Sequence, residues 1–392
     1  MKKHIIGIIL LVVCTCSGFS AMLMAQPSVD GVINADDYPS LQAAVDALGD
    51  KGGRICLSAR DYVLTEPVRI KARVCFQGVM DSKTRASVTK IESAPDFNGE
   101  WLFVTEPSSA VVNEDLNPDF FFFDLNLLGS ETVGGIYGEN IDGLRLERCR
   151  LANLRDGVWV GQKTDLPRPY PFVIVPGGVF INNCIFRCYD TAIRLEYATQ
   201  NRIYDNWFVS GGKTVLWLKN TNKTWFNDNE LNTVSGSSIV LEDDGLEGNN
   251  VHDIFMARNW IWNTNPQSKF LEIKPNGKTV QLVQFVDNIL YGPAGLDVDA
   301  LDTQYNKNRI YGNVGTQSGR ASKASGSYEI AYPMRTVRIP HGLYKAPVHV
   351  NITFRNEPPV FWVSAMNEST FTVSFKDDVP SGSFTWEAIA SH

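Results

Sequence analysis

A single local phrase recurs along this chain, and recurrence at this spacing restricts the fold more tightly than any one residue. It appears as Asn183-Cys-Ile-Phe, Asn206-Trp-Phe, Asn229-Glu-Leu, Asn259-Trp-Ile, Asn288-Ile-Leu and Asn308-Arg-Ile, with Asn126-Leu-Leu and Cys149-Arg-Leu in the same register upstream. Successive steps are 23, 34, 23, 23, 30, 29 and 20 residues. Strand-like patterning at this period is the signature of a solenoid built from β-strands. Each period reads as three short strands. From Thr191 to Phe208, Ile193, Leu195 and Tyr197 alternate with Arg194 and Glu196, then come Arg202-Ile-Tyr, the Asp205-Asn206 corner and Trp207-Phe208. Asn suits such a corner, because it tolerates left-handed backbone and its amide can bond to the Asn of the coils above and below.

The ends of the chain differ from its middle. Lys2 and Lys3 precede an apolar run from Ile5 to Val13 and then small residues toward Ala21 and Ala25, which reads as an export signal over 1–25. The implied location is secreted, periplasmic or cell-surface. The same run is about one membrane thickness long, so an uncleaved anchor is the competing reading and the sole route to a membrane. Asp36-Asp37-Tyr-Pro-Ser-Leu-Gln-Ala-Ala-Val predicts a capped helix burying Leu41, Val45 and Leu48, with Gly52-Gly53 just past its end. Such a helix would cover the first coil of a solenoid. Residues 26–313 form the solenoid, and the Gly/Ser/Lys-rich 314–327 reads as a linker. Residues 328–392 alternate as Thr336-Val-Arg-Ile, Val348-His-Val-Asn-Ile, Val360-Phe-Trp-Val, Phe371-Thr-Val-Ser and Phe384-Thr-Trp-Glu, a small antiparallel β-sandwich. The sandwich is a candidate for attachment or oligomerisation.

Helix, Gly-Gly, then Arg54-Ile-Cys-Leu, Pro67-Val-Arg-Ile and Val74-Cys-Phe-Gln-Gly resembles the N-terminal opening of the pectate-lyase-like superfamily, on its pectate lyase, rhamnogalacturonase and epimerase-like branch. The opening spans roughly 34 to 80 and the repeats carry the likeness to about 313. The resemblance implies an all-β fold, a right-handed parallel β-helix. It does not name the reaction, since one fold hosts many chemistries. Asp243-Asp244 is similar to the paired aspartates of polygalacturonases, but no Asn-Thr-Asp or Gly-His-Gly occurs and Arg69-Ile-Lys lies too early in the chain. Asp243-Asp244-Gly-Leu-Glu247 also reads as a solvated turn, and His252 as either a general base beside it or a structural histidine.

Aligning the first strand of each coil gives two outward files. One is Tyr137, Trp159, Arg194, Trp217, Val240, Glu272, Asp297, and the other is Glu139, Gly161, Glu196, Lys219, Glu242, Lys274, Asp299. With coils about 4.8 Å apart, these make a stripe some 30 Å long. Tyr137, Trp159 and Trp217 offer rings to sugar faces, while Arg194, Lys219 and Lys274 suit uronate carboxylates. Glu196 and Glu242, two coils apart, fit the carboxyl spacing of an inverting glycosidase, and Glu272 extends the binding stripe. For β-elimination the base would be Arg194 or Lys219, and Asp297 and Asp299 are candidate calcium ligands. The charged file also alternates in sign as a surface salt-bridge ladder does, which leaves the tryptophans unexplained. Two long inserts, Gly161 to Gly178 and Asp243 to Asn250, follow first strands and should overhang the same side.

A net charge of −7 argues against nucleic acid as the main partner, which wants a basic stripe. The chain therefore reads as a polysaccharide-acting protein, a lyase or glycoside hydrolase for an acidic polysaccharide, or else a non-catalytic carbohydrate-binding or adhesive solenoid. Five cysteines follow the export signal, an odd number. Cys56 and Cys75 look like equivalent positions on stacked strands, either bridged or free.

Overall fold

The structure, a computed structural model, describes residues 31–392 apart from short stretches, the longest being 106–118, 162–177, 244–250, 275–279, 297–308 and 316–322. Three parallel sheets of nine, eleven and ten strands run the length of the solenoid, here the first, second and third walls. One coil shows the plan. Thr191–Glu196 lies in the first wall, Asn201–Tyr204 in the second and Trp207–Phe208 in the third, and Thr214–Lys219 then returns to the first. Strands one coil apart pair in parallel, with Arg194 against Trp217 and Ile203 against Phe226. This is a parallel β-helix, as the 23-residue spacing required.

Alternation decides what faces inward. Ile193, Leu195, Leu216, Leu218, Ile203 and Phe208 are all buried in a single core that runs up the axis. Aromatic rings stack inside it, Phe186 on Phe208 at 5.0 Å and Phe76 on Phe122 at 5.2 Å between centroids. A ring repeated at one coil position finds its own kind above and below, so packing and register reinforce each other.

The expected helix is present as Leu41–Ala47, and Ser40 Oγ accepts from Ala43 N at 3.1 Å, an N-cap. It buries Leu41, Ala44 and Val45, with Leu48 half-buried against the same core. Gln42 does more than decorate its outer face. Its Oε1 accepts from Arg69 N at 2.7 Å and its Nε2 donates to Arg69 O at 3.2 Å. A side-chain amide thus stands in for a missing strand at the open edge of the first wall, which begins at Val68–Ile70.

The corner between the second and third walls carries an asparagine ladder, with corrections to its membership. Asn206, Asn229, Asn259, Asn288 and Asn313 are buried in one file. Asn229, Asn259, Asn288 and Asn313 each accept at Oδ1 from the backbone N–H and the side-chain amide of the Asn before them, at 2.9–3.1 Å, Asn206 accepts from Cys184 N at 2.9 Å, and the Nδ2 of all five donates to a main-chain carbonyl of the preceding coil. Asn313 holds the last place; Asn308 lies outside the described residues. Upstream the place belongs to Cys184 and Cys149, because Ile185 pairs with both Trp207 and Arg150. Asn183 sits one residue earlier. It shares a left-handed file with Asp124, Arg148, Asp205, Asp228, Arg258 and Asp287, whose φ values run from 52° to 58°. Asn126 falls one residue later, since it pairs with Arg150. Left-handed geometry therefore belongs to the residue before the ladder, and the ladder selects its members by buried hydrogen bonding alone.

All five cysteines of the described chain are free. Cys75 pairs with Arg54 and Cys56 with Gln77, so the two are offset by two residues and are not the equivalent positions read from the sequence. Burial pushes the thiols of Cys75, Cys184 and Cys188 upward, and Cys149 is buried too. Cys56 alone among them is half exposed.

Beyond the solenoid, two three-stranded antiparallel sheets close over Val337, Ile339, Phe371, Val373, Phe375 and Phe384. This is the expected sandwich. The last third-wall strand, Val314–Gly315, falls in the stretch read as a linker, and the sandwich's first strand, Lys323–Ile330, begins within it. The export segment 1–25 lies outside the described residues. Among the described residues no helix is long and apolar enough to cross a membrane.

Candidate functional site

The first wall brings the predicted side chains together in the predicted order. Tyr137 pairs with Trp159, Trp159 with Arg194, Arg194 with Trp217, Trp217 with Val240 and Val240 with Glu272. In the second file Glu139 stands against Gly161, Glu196 against Lys219, Lys219 against Glu242 and Glu242 against Lys274. Asp297 and Asp299 lie outside the described residues, as does most of both inserts. Among the described residues no group of three or more His, Cys, Asp or Glu side chains is placed to hold a metal ion.

Contacts within the files change what the stripe can do. The Arg194 guanidinium lies 4.2 Å from the Trp159 ring centroid and 4.4 Å from that of Trp217, a cation held between two indoles. Its Nε donates to Glu196 Oε1 at 2.8 Å. Trp217 Nε1 donates to Glu242 Oε2 at 3.0 Å, and Lys274 Nζ sits 4.9 Å from the Trp217 ring. Lys219 stands 4.0 Å from Glu242 and Lys274 3.7 Å from Glu272. Trp159 meets Trp101 and Tyr137 edge-to-face at 5.9 and 5.8 Å, Trp101 and Tyr137 lie tilted at 5.6 Å, and Arg155 is 5.1 Å from Trp101. Faces of Trp159 and Trp217 that were expected to receive sugars already carry Arg194. The second wall repeats the device, with Phe121, Arg145, Phe180, Arg202, Trp225 and Phe255 in one outward file and Arg202 5.7 and 5.6 Å from its two aromatic neighbours. Alternating aromatic and cation is thus a structural zipper of this solenoid, and it accounts for tryptophans that the charge ladder left over.

One place in the stripe is a glycine, itself buried. Gly161 contributes no side chain between Glu139 and Glu196. An atom at its Cβ position would lie 3.4 Å from Trp159 Nε1 and 3.6 Å from Glu196 Oε2. The notch therefore presents an indole N–H and a carboxylate oxygen to one point. Glu196 is 8 % exposed, and its other oxygen is fixed by Arg194. By contrast, Glu196 and Glu242, the pair read from the sequence, have Lys219 standing between them. Sequence alternation places Glu139 in the file, and only a neighbour with no side chain marks it out.

Burial, and then the charges of Glu139 and Glu196, push the Tyr137 hydroxyl up to about 12. Because the folded state holds this proton more tightly than the unfolded one, the stabilisation is whole below pH ~10 and is lost as pH rises through ~12. Melting curves across that alkaline window should fall more steeply for the native chain than for Tyr137→Phe. Equal slopes would place the hydroxyl in open solvent.

His252 begins the strand His252–Ala257 in the second wall, where its Nδ1 lies 3.0 Å from Asp253 Oδ2, so it is on a different wall from the notch. Asp243, read as the start of a solvated turn, is buried, and 244–247 lie outside the described residues.

Comparison with known proteins settles the hand of the coil. Residues 124–272 match the family described as right handed beta helix region. The chain carries a right-handed β-helix. The matched segment contains Glu139, Glu196 and five ladder positions, Cys149, Cys184, Asn206, Asn229 and Asn259. No curated protein sequence matches the chain. Among solved structures, this right-handed β-helix is similar to the tailspike protein gp49 of Acinetobacter baumannii bacteriophage Fri1, a capsular polysaccharide depolymerase, at 9 % identity over 92 % of this chain and 86 % of that one, TM-score 0.41. It is also similar to the A-module of the mannuronan C-5 epimerase AlgE6 of Azotobacter vinelandii, at 13 % identity over 72 % and 99 % of the two chains, TM-score 0.33. The tailspike gp49 of Pseudomonas phage LKA1 aligns at 11 % identity over 90 % and 92 %, TM-score 0.28.

Proposed function

We propose that this protein is an exported hydrolase of an acidic polysaccharide, working at the notch over Gly161. The observation that carries the reading is the notch itself: two carboxylates, Glu139 and Glu196, on either side of a residue with no side chain. They stand two coils apart, roughly 9.6 Å at their backbones. Inverting glycosidases hold their carboxyls about 6.5–9.5 Å apart, leaving room for a water. In this reading Glu196, oriented by Arg194, activates that water, and Glu139 protonates the leaving oxygen. Trp159 Nε1 hydrogen-bonds the sugar at the notch, and the half-exposed Lys219 with Lys274 attracts uronate carboxylates. Arg194 is a positioning residue. Elimination is less well supported, because a guanidinium stays protonated and this one is stacked on both faces. Export rests on the charged and apolar pattern of 1–25.

A second reading, a non-catalytic binding or adhesive solenoid, is favoured by the zipper, which occupies the first-wall rings. Its terminal sandwich leaves Val348, Val360, Trp362 and Met366 exposed, a surface for attachment or self-association. Incubating the purified chain with a panel of acidic and neutral polysaccharides separates these readings. New reducing ends without absorbance near 235 nm are expected. Absorbance there means an unsaturated uronate and a lyase, and binding without turnover means the adhesive reading.

A further inference from the structure

The third wall carries a groove of about 850 Å³ that no part of the first-wall site touches. One flank is the wall itself. The other is a hairpin closed by the antiparallel bridge between Met80 and Ser87 and tied down by Asn126 Nδ2, which donates to Ser87 O at 2.7 Å. Lys90, Arg148, Arg150 and Arg187 line the groove together with Trp207, and among the described residues no carboxylate lines it. That composition is unusual on a chain of net charge −7.

Not all four cations are equally available. Arg148 is held by Asp124 at 2.6 Å and by Glu147, and Lys90 by Asp61 at 3.1 Å. The side chains of Arg150 and Arg187 are exposed and make no hydrogen bond or ion pair among the described residues. They project from adjacent strands, Arg150 opposite Ile185 and Arg187 opposite Ala152, hence on one diagonal of the sheet. Diagonal neighbours lie about 7–8 Å apart. Two forked donors at that separation suit successive charges on a polymer better than one compact anion. Trp207 is 47 % exposed and, unlike Trp159 and Trp217, has no cation or ring against its faces among the described residues. Trp260 and Ile289 continue its file along the wall, each about half exposed, with Glu230 between Trp207 and Trp260.

We propose that this groove is a second binding site, for a carboxylate-bearing sugar chain, in which Arg150 and Arg187 take the carboxylates and Trp207 the face of a ring. Two free cations among the described residues are too few for nucleic acid, whose binding scales with the phosphates neutralised. The site shares with the hydrolase reading the class of ligand and none of its residues.

Titration calorimetry of the full chain with a galacturonate hexasaccharide tests it. Arg150→Gln/Arg187→Gln, which keeps most of each stem, should weaken binding at least about tenfold and flatten its salt dependence. Trp207→Ala should weaken it several-fold and remove a ligand-induced fluorescence change. Arg150→Lys/Arg187→Lys should retain part of the affinity, which a merely unfolded variant would not. Glu196→Gln should bind like the native chain, and a neutral glucose hexasaccharide should not bind. The proposal fails if the glutamine pair binds as tightly as the native chain, if Glu196→Gln abolishes binding, or if only a sulfated oligosaccharide binds. Loss of turnover with this affinity intact would bear on the notch alone.

Discussion

Asn229→Ala is expected to destabilise the solenoid by about 3–5 kcal/mol. The side chain satisfies four buried groups at once. Its Oδ1 accepts from Asn206 N at 3.1 Å and Asn206 Nδ2 at 3.0 Å, and its Nδ2 donates to Ile203 O at 3.1 Å and Asn259 Oδ1 at 3.1 Å. Alanine would leave two donors of Asn206 without an acceptor in a corner that water does not reach, each costing roughly 1–3 kcal/mol. The cavity adds to this. Chemical denaturation followed by circular dichroism should show the midpoint falling far more than for Trp260→Ala on the exposed face. A shift no larger than that control would mean that water enters the corner and the ladder contributes little.

Glu196→Gln should lower polysaccharide turnover by about 10²–10⁴, the range for losing a positioned acid or base. The substitution keeps the size of the side chain and its contact with Arg194, so binding and melting temperature should hold. Gly161→Leu gives the same loss by another route, since it fills the notch between Glu139 and Glu196 without removing a titratable group. Loss of turnover in both variants with retained binding locates the chemistry there. If Glu242→Gln abolishes turnover and Glu196→Gln does not, the centre lies one step further along the stripe, where the sequence first put it.

Much of the architecture was legible because a β-helix writes its register into one dimension. Alternation in Thr191–Glu196 and its counterparts fixed which residues point outward, and every described member of both first-wall files falls in its expected row. The ladder was legible as a period and misread in detail. Asn183 and Asn206 look alike in sequence, yet one relieves backbone strain and the other bridges coils, and a one-residue offset separates those roles. Occupancy was not legible at all. Whether Trp217 faces a sugar or Arg194 depends on rotamers of neighbours 23 residues away, and the unengaged Arg150 and Arg187 are told from Arg148 only by which carboxylates reach them. Gly161 was visible as a letter. Its meaning as empty space needed Glu139 and Glu196 on either side.

The amide ladder points one way. Every asparagine clasps the coil that precedes it, through carbonyls behind it and through the N–H groups handed forward to it. Shortening the chain from its N-terminal side would leave the next asparagine with an unfilled Oδ1 and one unmet amide hydrogen, while its backbone N–H stays paired to the coil ahead. Trimming from the C-terminal side would take away the acceptor on which the next coil inward depends, and then the one after that. Such a molecule should come apart like a zip with a single slider, opening from the end where Asn313 sits.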